Sequence, residues 1–497
     1  MSTQSPTELE LGKLLAGDRR GFLRRLGAAT LAASTGATGA APLAEERVAL
    51  LRKSIRGIVI AQDEAAWPAW CETMVWQQRK AAQRPPLIVQ ALNETDVIEA
   101  VRFARRNGLK VAVRTGGHSA WATFMRDDSL LIDLSQLTRS SFNRDDRSAV
   151  VQPALWGSRL IERAAPLGLA FPVAHCAQVG LGGYLIGGGL GLNHDAWGHM
   201  ACFSIRGADV VTPRGELISV DAKRHPNLYW ALRGAGQGFP GIVTKLHLAL
   251  QPRPRQVRSS VYVLPLEQAA AAAASLQEIT VDRRAAVEVL MLLAQGADAQ
   301  PVATVTVTAF AATADEARAS LAPFASSEFA EAALTKTEAQ PSSLEKLLMD
   351  GVNPIPRDGL ASYAVDSIWT ARADEAVAAA AEHIARAASP LTHAVIAFKS
   401  GRVVPGGAAC SRTDRAFVGL YSAWLDAEGD AANVNWLRAA SQSLQPFASG
   451  YYINEIDIEA APQRAIDCFS ARAWRRLADV RHQYDPDRVM LGFSGLG

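Results

Sequence analysis

The stretch CAQVGLGGYLIGGGLG, positions 176–191, holds seven glycines between Gly180 and Gly191. An isolated glycine pair reads as a tight structural turn. Seven within twelve positions indicate a backbone that turns left-handed or lies against a ligand with no space for Cβ atoms. Backbone N–H groups freed in such a loop can bind phosphate oxygens. A second glycine set, GQGFPG at positions 236–241, formally fits G-x-G-x-x-G. A Rossmann fingerprint follows a strand and opens a helix. Here the helical stretch LYWALR precedes the glycines and the alternating stretch IVTKLHLAL follows them, which disfavours a nicotinamide-type Rossmann domain. No GxSxG elbow, HExxH helix or P-loop occurs. The chemistry is therefore expected to rest on a bound organic cofactor in a glycine-lined groove.

A chain of 497 residues is long enough for roughly two to four units by domain-size priors. With 51 basic and 49 acidic side chains, it lacks the basic excess of a nucleic-acid footprint, and no nucleic-acid partner is expected. The N-terminal stretch DRRGFLRRLGAATLAASTGATGAAP places Arg19 and Arg20 before an apolar Ala/Leu-rich segment and small residues. This order reads as a twin-arginine (Tat) export signal in a leader over residues 1–44, and predicts a periplasmic or extracellular protein that uses the Tat machinery. No later run reaches the about 18 apolar residues that a membrane span needs. The five cysteines, Cys71, Cys176, Cys202, Cys410 and Cys468, lack metal-ligand spacing. Neither a metal site nor a disulfide is predicted.

Along the chain, LIVQ reads as a strand, followed by a cap near Asn93 and a helix with Val97, Ala100, Val101 and Ala104 on one face. Gly108 stops that helix and KVAVRT resumes as a strand, while VVTPRGELISV reads as a hairpin. From about position 257 the texture becomes βα: VRSSVYVLPL, LEQAAAAAASLQEI, VATVTVTAF, TADEARASLAPF, YAVDSIW, ADEAVAAAAEHIARAA and THAVIAFKS. That order suggests an α+β sheet with helices on one face. The tail reads as a strand YYINEIDIE and a helix ARAWRRLADVRHQY.

The ordered set RTGGHS at 114–119, CAQVGxGG running into GGGxG at 176–191, NLYWALRG at 227–234, GIVT at 241–244, YIN at 452–454 and YDPD at 484–487 resembles the berberine-bridge-enzyme-like FAD-linked oxidases of the vanillyl-alcohol-oxidase superfamily. The resemblance runs from about residue 55 to about residue 493. It implies a two-domain, α+β, PCMH-type FAD-binding fold with a sheet-plus-helices substrate domain. The FAD domain would span 45–252 and the substrate domain 253–457, with 458–497 returning to the FAD domain. It also implies that His118 is bonded to the 8α carbon of FAD, and that Cys176 is a second tether at flavin C6. Thiolate attack on an electron-poor ring is chemically reasonable if the local field activates the thiol. Arg114, Thr115, Gly116, Gly117, Ser119, Gly180, Gly182, Gly183, Gly187, Ile242 and Asn454 are read as further cofactor contacts. Val179, three positions after the cysteine, takes the family's oxygen-gating place, where valine resembles oxidases and leucine resembles dehydrogenases.

By the same resemblance, a substrate hydride goes to flavin N5 while a base removes a proton, and O2 reoxidises the flavin to give H2O2. The substrate class expected is an alcohol, sugar or amine-bearing small molecule. The family's Y-x-N-Y pattern departs here, with Glu455 at the second tyrosine's place; Glu455 is taken as first candidate base and Tyr452 as second. In a regular strand the two would point to opposite faces. Pro240 and the stretch CFSARAW depart from the family as well. A covalent-flavin dehydrogenase using another acceptor, or a flavin-binding protein without turnover, stays open.

Overall fold

A computed structural model describes residues 45–281, 287–296, 300–350, 361–400 and 405–496; the proposed Tat leader, with Arg19 and Arg20, lies outside them. Three principal sheets organise the chain. The first is four-stranded, in the order Ile58–Ala61, Leu87–Gln90, Ser129–Asp133, Lys110–Arg114, with its last three strands parallel. Buried on both sides, Leu87–Gln90 and Ser129–Asp133 read as unbroken burial, as parallel strands covered on both faces do. The helix Glu94–Arg106 packs beside them through Val97, Ala100, Val101 and Ala104. Its first turn is capped by Asn93, whose side chain accepts from the Asp96 N–H.

The second sheet is five-stranded and antiparallel: Ser140–Asn143, Ser148–Val151, Ile242–Ala249, Ile205–Val211, Leu217–Asp221. Its last pair is the expected hairpin, with Val211 opposite Leu217. The helix Pro226–Leu232 precedes GQGFPG and the strand Ile242–Ala249 follows it, as the argument against a Rossmann site requires.

The third sheet has seven antiparallel strands, in the order Thr335–Ser342, Gln256–Pro265, Pro301–Ala311, Val287–Gln295, His393–Phe398, Ala416–Trp424, Ser362–Thr370. Period-two alternation divides its side chains. Val289, Met291, Leu293, Ala394 and Ile396 pack into one core with residues of the helices Ala269–Val281, Ala373–Ile384 and Asp430–Leu444. Leu290, Val395, Ala397 and Phe417 face the other way, onto a cavity. Helices on one face leave the opposite face available as a roof. The mixed helix-and-sheet class expected from the sequence is the class observed.

The tail returns to the first sheet: the Val111 N–H donates to Val489 O at 2.8 Å and the Leu491 N–H to Val111 O at 3.0 Å. The helix Ala471–Tyr484 is present, capped by Ser470. The strand expected over 451–459 is not. That segment turns instead, with the Glu455 N–H donating to Tyr452 O at 2.9 Å and the Ile458 N–H to Ile456 O at 3.1 Å. It is tied to the edge strand Ser362–Thr370, because Trp369 exchanges backbone bonds with Gly450 and Ser449, and Ser367 Oγ donates to Glu455 O at 2.6 Å. The apolar alternation read as a strand comes from the burial of Tyr452 and Ile456 in a segment whose polar groups are held by side chains rather than by a ladder.

Candidate active site

A cavity of about 440 Å³ lies between the seven-stranded sheet and the two glycine loops, within the size range of cofactor and substrate sites. The first loop leaves the strand Lys110–Arg114. Arg114 lies under it with a buried guanidinium whose Nη1 donates to Asp133 Oδ1 at 2.7 Å and whose Nε donates to Met74 O at 3.0 Å. The side chain of Arg114 thus shapes the loop, and the residue also borders the cavity. Gly117 has φ +68°, and a Cβ there would stand 2.2 Å from Met74 O, so only glycine permits this turn. The second loop abuts the first: a Cβ on Gly116 would lie 3.5 Å from the Gly180 nitrogen. Gly183 opens onto free space.

The backbone N–H groups of Gly116, Gly117, His118 and Ser119 meet no acceptor among the described residues. Successive unpaired donors at the wall of a cavity form a site for anionic oxygens. This arrangement fits the pyrophosphate of a dinucleotide, and the bare glycine backbones fit its close approach.

His118 stacks on Trp76, with ring centroids 4.5 Å apart and planes 7° from parallel. Burial lowers its pKa to about 4, so the imidazole is neutral at ordinary pH and keeps a nitrogen lone pair. Cys176 and Val179 line the same cavity from the second loop, joined by a hydrogen bond from the Val179 N–H to Cys176 O at 3.3 Å. Thr115, Ser119, Gly180, Gly182 and Ile242 also line it.

The turn at 452–455 supplies the opposite wall. Glu455, Tyr452 and Asn454 all reach the cavity, which corrects the expectation that strand geometry would separate Glu455 from Tyr452. The Tyr452 hydroxyl oxygen accepts from the Gly189 N–H at 3.0 Å, the Leu190 N–H at 3.2 Å and Asn454 Nδ2 at 3.0 Å. Burial, followed by the charge of Glu455, nevertheless raises the phenol's pKa well above its ordinary value. With its oxygen ringed by donors, Tyr452 is poorly placed to take a proton from a substrate. Glu455 is open to the cavity yet deep in the protein. Burial raises its carboxyl pKa, opposed by the Tyr421 hydroxyl, which donates to Oε2 at 2.6 Å, and by the charge of His175.

Of two further expected cofactor contacts, Gly187 lies outside the cavity wall and Asn454 lies on it. Gly187 does not line the cavity; a Cβ there would stand 1.9 Å from Asn454 Oδ1, so its bareness makes room for Asn454. Asn454 borders the cavity, but its amide donates to Tyr184 O at 3.2 Å and to the Tyr452 hydroxyl, which makes it a support for Tyr452. Sequence reasoning missed Trp76, His175, Tyr363 and Tyr421, all on the cavity wall. Single aromatics in alternating strands carry no motif; only the histidine directly before Cys176 offered a signal.

Comparison with known proteins agrees with this geometry. The family described as "FAD binding domain" matches residues 85–221. The chain is 28% identical over 423 residues to the FAD-linked oxidoreductase nodO of Hypoxylon pulicicidum, covering 84% of this chain and 92% of that protein. It is 33% identical over 204 residues to (R)-6-hydroxynicotine oxidase of Paenarthrobacter nicotinovorans, covering 41% of this chain and 43% of that one. Among solved structures, 6-hydroxy-D-nicotine oxidase from Arthrobacter nicotinovorans superposes with a TM-score of 0.77 at 23% identity, over 89% of this chain and 98% of its own. A BBE-like protein of Physcomitrella patens gives a TM-score of 0.78 at 17% identity, over 91% and 99%. The chain thus carries an FAD-binding domain over residues 85–221, has the fold of these solved structures and, by its likeness over most of its length to an FAD-linked oxidoreductase, is an oxidoreductase.

Proposed function

We propose that this protein is an exported oxidase that takes a hydride from an alcohol, sugar or amine-bearing small molecule, with its FAD bonded to His118 and Cys176. The observation that carries this reading is that His118, the pair Cys176 and Val179, and Glu455, from three separate stretches of the sequence, line one cavity. A bound flavin would supply an acceptor for the substrate's electron pair, which O2 would then take up with two protons as H2O2.

The residues then divide the work. The unpaired N–H groups of 116–119 hold the pyrophosphate. His118, neutral in its buried stack on Trp76, has the lone pair that a carbon–nitrogen bond requires. Glu455 takes the hydroxyl or amine proton of the substrate while hydride leaves its carbon. Val179, on the cavity wall, would leave more space for oxygen than a leucine in its place. The aromatic and aliphatic roof, including Tyr363, Val395 and Phe417, excludes water and favours a substrate with an apolar body. The nicotine-oxidising relative supports an amine among the substrate classes. Export rests on the leader alone: the Tat route carries folded proteins, which suits a chain that receives FAD before crossing a membrane. Among the described residues no helix is long and apolar enough to span one.

Peroxide release and O2 uptake across alcohols, oligosaccharides and cyclic amines test the reading. Turnover by the native enzyme and its loss in Glu455→Gln support it. Substrate reduction of the flavin with no O2 uptake indicates a dehydrogenase, and no reduction by any class indicates a flavin-binding protein without turnover.

A further inference from the structure

Behind the cavity wall lies a carboxylate that the reaction above does not use. Glu288 stands in the strand VEVLMLLAQ and is 4% exposed. Its Oε1 accepts from the Asn193 N–H at 3.0 Å and lies 3.2 Å from His175 Nε2 and 3.5 Å from His194 Nδ1. A carboxylate at such depth is costly unless a cation meets it. Lys399 is also near, but it is ion-paired with Asp195 at 3.7 Å. Of the two imidazoles, His175 is the closer and the one that lines the cavity. It sits directly before Cys176.

We propose that His175 is a positioning residue for the proton-transfer step: pinned at Nε2 by Glu288, its imidazole borders the cavity that Glu455 also lines and so holds Glu455 ready to accept a proton. The proposal rests on the reading of Glu455 as the base. Other groups support the direction of the effect. Burial opposes an imidazolium at His175, but the charge and hydrogen bond of Glu288, and then the charge of Glu455, outweigh it and raise the pKa of His175. Burial also opposes ionisation of Glu288, yet His175 and then His194 bring its pKa down to about 2. The titratable groups that face this pair from neighbouring elements are His194, Tyr184 and Lys399 around Glu288, Cys176 beside His175, and Tyr363, Tyr421 and Tyr452 around Glu455. The charge of His175 lowers the pKa of Glu455, against the burial that raises it. The contact joins the roof sheet, which carries Glu288, to the glycine loop, which carries His175.

Two measurements on the flavin-loaded protein decide it. In a histidine NMR pH titration, with His175→Gln used for assignment, the His175 ring should titrate above the ordinary midpoint of about 6.5. In Glu288→Gln, which keeps the size and an acceptor for Asn193, that midpoint should fall by about one unit or more. In the pH profile of flavin reduction, His175→Gln should move the acid limb up by about one unit, and His175→Lys should restore it. A merely structural role lowers the rate at every pH and leaves the limb in place. A His175 midpoint at or below the ordinary value and unchanged in Glu288→Gln overturns the proposal, as does an unmoved limb. Full reduction by Glu455→Gln overturns the assignment of the base itself, and is distinct from a failure confined to His175.

Discussion

Tyr421 Oη donates a 2.6 Å hydrogen bond to Glu455 Oε2, linking the roof strand Ala416–Trp424 to the turn after Tyr452. This bond opposes the burial that pushes the Glu455 carboxyl upward. The Tyr421 ring is itself stacked on His393, with centroids 5.0 Å apart and planes 2° from parallel, so the donor is held rather than swinging. Tyr421→Phe removes the donor and leaves the packing. With Glu455 as the proposed base, whose active form is the carboxylate, the acid limb lies at the Glu455 pKa, and loss of the donor moves that limb upward. A hydrogen bond to a charged group corresponds to a displacement of about 1 to 2 pH units. The pH profile of flavin reduction is the check.

Gly187 and Asn454 make a second test. The Gly187→Ala methyl would fall 1.9 Å from Asn454 Oδ1, forcing Asn454 from its bonds to Tyr184 O and the Tyr452 hydroxyl. Overpacking of this kind costs about 1 to 3 kcal/mol. A lowered denaturation midpoint with the flavin retained is the expected outcome, because Gly187 supports the wall without lining it.

The Arg114–Asp133 pair supports the His118 loop from below. Both side chains are buried, Asp133 completely, and Asp133 also accepts from Gln90 and from Ser135. Asp133→Asn leaves the guanidinium without its counter-charge and should destabilise the protein by about 3 to 5 kcal/mol. Urea unfolding measures it.

Val179→Leu tests the oxygen route. Added bulk beside the proposed ring position should slow reoxidation by O2 at least about tenfold, or ~1.4 kcal/mol of barrier, while reduction by substrate continues. Stopped-flow reduction and reoxidation read separately give the answer.

The elements legible in the sequence were those whose local signals agree with their surroundings. The helix Glu94–Arg106 shows a cap, an apolar face and a glycine stop, and the helix Ala314–Ala325 opens on a capping box formed by Thr313 and Glu316. The two glycine loops were legible because backbone approach to a ligand leaves a compositional mark. The turn at 452–455 was not, since alternating apolar residues there serve burial in an irregular segment whose bonds run to Ser367 and Trp369, far away in sequence. Gly187 resembles a ligand contact in sequence because a glycine that admits a neighbouring side chain looks there like one that admits a cofactor. Glu288 carried a faint signal, a single acid in an apolar strand, but its partners His175 and Asn193 come from the other side of the cavity, and no local pattern connects them.

The central claim is that the flavin is bonded to the His118 imidazole. Mass spectrometry of proteolytic peptides from acid-precipitated, fully loaded protein tests it most directly. The account predicts a flavin adduct on the peptide carrying His118, with a second bond to the peptide carrying Cys176, and loss of the first in His118→Ala. An unmodified His118 peptide from yellow protein whose colour leaves with the acid supernatant would contradict it.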